Sequence, residues 1–343
     1  MIKARWCRYI LRFRFEARTS RETMREKATY FVGIYDDAEP ERLLAIGECP
    51  LFKGLSADDV PEYETLLSQA CEAPYEALEL PYSSIRFGFE QVLMPEPKSP
   101  WRMGLTGIPI NGLIWMGDKD TMTRRIKEKL DSGFRVLKLK IGGINFDDEV
   151  ELLADIRRRF PASALEIRLD ANGSFTAENA AEKLGRLARF DIHSIEQPIK
   201  AGQTDAMARL CRESPIAIAL DEELIGCRSH DEAFGLVDAI RPQYLILKPA
   251  LCGGLSGAEA YIDIADRLGI GWWATSALES NIGLAAIGSW LGEKMASEEI
   301  MPQGLGTGQL YLNNIASPLE LRGNELWFEP SKKWEYPEFE WHG

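Results

Sequence analysis

Histidine is nearly missing from this chain: three in 343 residues, His193, His230 and His342. That scarcity removes the commonest general base and a common zinc ligand from most of the sequence. Cysteine is sparse too. Cys7, Cys49, Cys71, Cys211, Cys227 and Cys252 form no C-x-x-C pair and no metal-ligand spacing, so neither a zinc ribbon nor a redox motif is written here. Scattered thiols suit a reducing cytoplasm, where most serve as small buried hydrophobes. Basic excess is absent: 40 Lys and Arg stand against 53 Asp and Glu, a net charge of −13. This argues against nucleic acid and anionic membrane as partners, while a small carboxylate substrate could still find a local cationic pocket. No run approaches the roughly 18 uncharged apolar residues of a membrane helix. The start, MIKARWCRYILRFRF, lacks an uninterrupted apolar stretch and an A-x-A site, and is expected not to be a signal peptide. Internal repeats and low-complexity segments are missing as well.

What is present is a globular composition, 45% hydrophobic and 27% charged, in a chain too long for one ordinary core. Residues 1–97 read as an α+β capping unit: strands at 8–17 and 29–35, a polar loop at 19–27, and helical patterns at 56–72, with Ser56 as N-cap, and at 81–93. The proline-rich PEPKSP, 95–100, marks a linker. From GLIWM onward short apolar runs alternate with amphipathic helical stretches at 119–132, 146–160, 177–190, 203–213, 229–237, 254–268 and 279–292, with a further strand expected at 300–305. Such alternation in about 195 residues predicts an α/β fold, a (β/α)7β TIM-like barrel over 98–310. The tail, 311–343, with Trp327, Phe328 and Trp334, is expected to return to the capping unit and complete it. A homo-oligomer stays open.

The ends of the barrel strands carry the chemistry. RVLKLK ends at Lys140, LEIRLD at Asp170, IHSIEQ holds Glu196, IAIALD ends at Asp221, YLILK at Lys248 and GWWATS at Ser276, at intervals of 30, 26, 25, 27 and 28 residues. Each interval is one β/α unit, so these side chains are expected at one height on the carboxyl rim, where barrel enzymes build their sites. Three converging acids, Asp170, Glu196 and Asp221, repel one another unless a cation joins them. Hard oxygen donors suit Mg²⁺, and the lack of His or Cys in the set speaks against zinc. Lys138 and Lys140 lie two apart, so period two aims both into the barrel. Neighbouring positive charge is expected to lower their pKa values toward the range of a general base, fit to remove a proton α to a carboxylate. Each residue alone has a plain reading as a cap, turn or solvated charge; their common height is what argues for a site. His193, three residues before Glu196, is expected on the opposite face as a packing residue.

LKLKIG, LDANG, IEQPI, ALDEEL and LKPALCGG resemble the enolase superfamily, in its muconate-lactonizing-like subgroup with lysines on strands two and six. TSRETMREKATYFVG, IEQPIKAGQ, SALESNIG and QGLGTGQLYLNN are similar to a dehydratase branch within it. The resemblance implies Mg²⁺ on Asp170, Glu196 and Asp221. It implies a syn dehydration of 2-succinyl-6-hydroxy-2,4-cyclohexadiene-1-carboxylate through an enediolate. Lys140 would be base and then acid, Lys248 would stabilise charge on the other face, and Lys138 would orient Lys140. Ser20, Arg21 and Arg25 in the capping loop, together with Asn172, Ser276, Gly304, Gly306 and the amides of 304–308, would hold the substrate. Phe175 stands where the family often has tryptophan, a difference expected to bear on pocket shape. A racemase or epimerase, such as one acting on N-acylamino acids, would use Lys140 and Lys248 as opposed acid and base. A non-catalytic carboxylate-binding barrel would not need amines on both faces.

Overall fold

The computed structural model describes residues 1–18, 23–115 and 118–343, without the side chain of Lys119. Ser20 and Arg21 lie outside the described residues. The first sheet is antiparallel, in the order β1 (Ile2–Arg18), β2 (Thr23–Asp36), β3 (Leu43–Cys49). β1 starts at Ile2 rather than at residue 8, because Ile2 already pairs with Asp36. Of the polar loop expected at 19–27, Thr23 to Lys27 are instead strand, with Lys27 opposite Leu11 and Glu26 opposite Arg12. Ladder pairing outweighs the polarity of the side chains. Two helices, α1 (Tyr63–Glu72) and α2 (Ser83–Leu93), cover one face of this sheet. Ser56 does not cap α1. It closes a turn, accepting the Phe52 amide at 2.9 Å, and the helix begins only after Pro61.

β4 (Ile108–Pro109) precedes the barrel proper. Then β5 (Gly112–Ile114), α3 (Lys119–Asp131), β6 (Val136–Lys140), α4 (Phe146–Arg159), β7 (Glu166–Asp170), α5 (Ala180–Leu187), β8 (Ser194–Glu196) and α6 (Thr204–Glu213) alternate. They are followed by β9 (Ala217–Leu220), α7 (His230–Ile240), β10 (Tyr244–Leu247), α8 (Gly254–Leu268), β11 (Gly271–Ala274) and α9 (Asn281–Lys294). The seven strands β5 to β11 pair in parallel in chain order. The eighth strand expected at 300–305 is reduced to two parallel bridges, Thr275 with Gly304 and Ile110 with Gln303, which close the ring between β11 and β5.

Local chemistry fixes these elements. In β7, Ile167 and Leu169 are buried outward under the helices, and the alternate Arg168 and Asp170 point inward. In α4, Asn145 accepts the Asp147 amide at 2.8 Å; three acids fill the first turn and three arginines the last, both favoured by the helix dipole. The cap grips the barrel by acids set against helix starts: Glu48 of β3 accepts from Ser280 and from the Gly283 amide at the start of α9, and Glu90 of α2 accepts from Ser256 at the start of α8.

The tail divides. β12 (Leu319–Arg322) and β13 (Glu325–Phe328) form a hairpin on β4, where Phe328 packs on Trp101, outside the first sheet. Trp334, Phe339 and Trp341 pack with Cys7 and Phe31 of that sheet, and Trp6 exchanges backbone hydrogen bonds with His342.

Candidate active site

Register brings the rim together. Lys140 pairs with Asp170, and Asp170 with Glu196, across β6, β7 and β8. Asp221 lies two residues beyond Ala219, the partner of Glu196. The Lys138 amine is 2.5 Å from Glu196 Oε2 and 3.1 Å from Asp170 Oδ2; the Lys140 amine is 2.9 Å from the same Asp170 oxygen and 2.8 Å from Asn172 Oδ1. Lys248 is ion-paired with Asp221. All three acids are almost wholly buried. The two lysines in one strand are thus met by acids on the next two.

This pairing reverses one expectation. Burial would lower Lys138, but Asp170 and Glu196 outweigh it and its pKa moves up; Lys248 moves up as well, burial being overcome by Asp221 and Glu196. The acids on the neighbouring strands outweigh the repulsion between the amines. Burial would raise Asp170, and Lys138 and Lys140 pull it below the usual carboxylate range. Glu196 is pushed up to about 8 by burial and by Asp170. Its Oε1 is buried without a hydrogen-bond partner, an orphan that a hard cation would satisfy. Among the described residues no three acidic, histidine or cysteine side chains are gathered closely enough to hold a metal as they stand; Lys138 bridges two of the acids. The donor set nonetheless fits a hard divalent ion in number, type and charge.

Lys138, Lys140, Asp170 and Lys248 line a cleft of about 900 Å³, open in part to solvent, with Asn172, Ser276, Gly304 and Gly306; Glu196 and Asp221 are not among its lining residues. Asn172 has φ +44°, receives Lys140 and donates to Glu222 Oε1 at 3.1 Å, so it orients the amine. Ser276 is turned inward: its hydroxyl donates to Glu279 and accepts from the Leu278 amide. The Gly304 amide is spent on the Ala274 carbonyl, which removes it from the amides expected to hold a substrate carboxylate. Arg25 pairs with Glu16 and does not line this cleft. Phe175 packs on Phe146 and under Lys183, away from the cleft, so it does not shape the pocket.

Several lining residues escaped sequence reasoning. Phe52, Lys53 and Leu55 roof the cleft from the cap, in the irregular segment between β3 and α1. Trp115, the fourth residue of GLIWM, places its ring 5.8 Å from the Lys140 amine. Glu222 lines the wall, and burial with Asp221 pushes it up to about 7. Gln197 of IEQPI, φ +42°, accepts the amides of Asp221 and Glu223 and so sets the Asp221 backbone; a single polar letter directly after Glu196 was the only signal.

A closed parallel barrel under an α+β cap, with amines and acids interleaved at its carboxyl mouth, defines a class of enzymes acting on small molecules. The chain belongs to the enolase superfamily: the Enolase C-terminal domain-like family matches residues 121–306. It is 50% identical over 253 residues to the o-succinylbenzoate synthase of Desulfotalea psychrophila, covering 71% of this chain and 68% of that one. The crystal structure of MenC from Desulfotalea psychrophila superposes with a TM-score of 0.78 at 38% identity, over 95% of this chain and 99% of that one. Muconate lactonizing enzyme from Pseudomonas fluorescens shares the fold, with a TM-score of 0.78 at 19% identity over 98% and 96% of the two chains. Dependence on a divalent metal is general in this superfamily.

Proposed function

We propose that the chain carries out the reaction named for its half-identical relative: loss of water from 2-succinyl-6-hydroxy-2,4-cyclohexadiene-1-carboxylate to give 2-succinylbenzoate, an o-succinylbenzoate synthase step of menaquinone biosynthesis. The observation that carries this is the conjunction of 50% identity with two lysine amines at one cleft, either side of a row of acids. Lys140 takes the proton α to the ring carboxylate and returns it to the departing hydroxide on the same face; one C–H and one C–O bond break, one ring double bond forms, and water leaves. Lys248 places positive charge on the other face of the ring. Lys138 holds Asp170 and Glu196, and Asn172 aims Lys140. Asp170, Glu196 and Asp221 are the ligands we assign to Mg²⁺, which when bound would stabilise the developing enediolate and offset the acids that raise Lys138 and Lys248. We divide the chain into a cap of 1–97, a barrel of 98–310 and a return of 311–343, and place the reaction in the cytoplasm. Six unpaired cysteines agree with a reducing compartment, and among the described residues no helix is long and apolar enough to cross a membrane.

The test is turnover of the cyclohexadiene carboxylate with Mg²⁺, followed by aromatic absorbance. The expected result is rapid turnover that Lys140→Ala lowers about 10³-fold or more; turnover surviving without Lys140 overturns the roles. The facing amines also suit a racemase. That reading requires N-succinyl amino acids to exchange their α-proton in deuterated water, whereas binding of either substrate without reaction marks a non-catalytic barrel.

A further inference from the structure

Beside the cleft, where cap meets barrel, lies a buried charge cluster the reaction above does not use. Lys27 of β2 is 7% exposed, and its amine has no hydrogen-bond partner. Glu279, between β11 and α9, is 0% exposed; one oxygen takes the Ser276 hydroxyl and Oε1 has no partner. Glu48 of β3 is equally buried, but its oxygens are filled by Thr29, Ser280 and the Gly283 amide. The two acids flank one residue. A Cβ added to Gly283 would stand 2.8 Å from Glu279 Cγ and 3.0 Å from Glu48 Oε2, so the position admits only glycine. Burial lowers Lys27 against the pull of Glu48 and Glu279, and burial, with Glu48 adding, raises Glu279. The Tyr311 phenol, also raised by burial and by both acids, is the other titratable group facing them. A lone buried amine and a half-bonded buried acid are each costly by themselves; the two make no direct ion pair, and Thr29, two residues along the same strand face as Lys27, donates to Glu48 and so sets that face toward the acids.

We infer that Lys27 and Glu279 form a positioning pair, in which the cap's amine keeps Glu279 a carboxylate, Glu279 holds the Ser276 proton inward, and the seating of the cap thereby fixes the Ser276 wall of the cleft. The Ser276 oxygen also accepts the Leu278 amide at 2.9 Å, so its bonds all run away from the substrate. Without the amine two acids would stand together, Glu279 would take a proton, and the bond to Ser276 would reverse and turn a hydroxyl hydrogen into the cleft. Lys27 lies within β2 of the cap and touches no reacting atom, so its part is positioning.

A double-mutant cycle tests the pair. Lys27→Met is expected to raise KM for the cyclohexadiene carboxylate about tenfold at pH 7 with kcat little changed. The loss should shrink as pH rises and Glu279 ionises again. In a Glu279→Gln background the same Lys27→Met change should move KM by less than about threefold. Effects that simply multiply, or a KM loss flat with pH, overturn the inference. A Lys27→Met protein that melts lower yet keeps its KM shows a structural role only and overturns it too. The thermal midpoint gives a second arm: Lys27→Met alone should melt several degrees lower, and the double variant should recover part of that. If Lys27→Met does not fold, a double variant that folds supports the pair and one that fails overturns it. The kinetic arm rests on the dehydratase reading. A wild-type protein inactive on this substrate sinks that reading, while the melting cycle still decides the pair.

Discussion

At the amino end of the barrel interior, Arg168 donates to Glu166 at 2.7 Å and to the Pro302 carbonyl at 2.8 Å, and its guanidinium lies 4.4 Å from the Trp273 ring. His193 and Tyr244 stack beside that indole. At the carboxyl end, one layer along the same strands, three lysines face three acids, and Glu196 keeps an oxygen without a partner. Both ends bury charge. The lower one satisfies its arginine with an acid, a carbonyl and an aromatic face, which makes a plug. The upper one opens on a cleft and leaves a Glu196 oxygen without a partner, which makes a site. Polar residues inside a barrel are therefore no sign of catalysis by themselves; incomplete satisfaction next to open space is.

The sharpest break of this comparison is Glu196→Gln. It keeps the shape and removes one of the acids we assign to Mg²⁺ while leaving Lys138 with Asp170. Dehydration should fall more than about 100-fold, and the Mg²⁺ concentration needed for half activity should climb at least about tenfold. Chelation of wild-type protein should abolish turnover, with Mg²⁺ restoring it. If chelated protein works at full rate, the upper layer is as self-sufficient as the lower and the distinction fails.

The strand ends were legible because two periods coincide in them: two along each strand, and 25 to 30 residues from one to the next. That placed Lys138, Lys140, Asp170, Glu196, Asp221, Lys248 and Ser276 at one mouth. Through-space pairing has no period. Lys138 could be read as inward, but that Glu196 lies 2.5 Å from its amine, and so raises its pKa, comes from the register of a separate strand. The roof residues Phe52, Lys53 and Leu55 hid in an irregular segment whose turn bonds, such as Phe52 to Ser56, leave no repeating pattern. β1 ran six residues earlier than expected because its first turn of the ladder, Ile2 against Asp36, depends on a partner 34 positions away.

Arg168→Met sharpens the lower half. Removing the guanidinium strands Glu166 and the Pro302 carbonyl, though Glu166 is one-third exposed and recovers some water. The expected loss is about 2–4 kcal/mol in a denaturant titration, with kcat for dehydration unchanged within about threefold. A parallel fall in kcat would mean that the plug sets the geometry of the rim, and that the two layers act as one.

The smallest effect sits at His193. Burial lowers its pKa from 6.5, with Glu166 opposing and Arg168 assisting, and Tyr244 and Trp273 close the other sides. Above 6.5 the imidazole is neutral in folded and unfolded chains alike and stability does not depend on it. As pH falls through 6.5 the unfolded chain gains a proton before the folded one does, and stability drops until the lowered folded value is passed. His193→Gln should therefore lessen the fall in melting temperature as pH drops below 6.5, and leave dehydration untouched. A change in the pH profile of kcat on losing this imidazole would instead connect the amino end to proton transfer at the rim, which its stacking on Tyr244 and its place at the foot of the strands argue against.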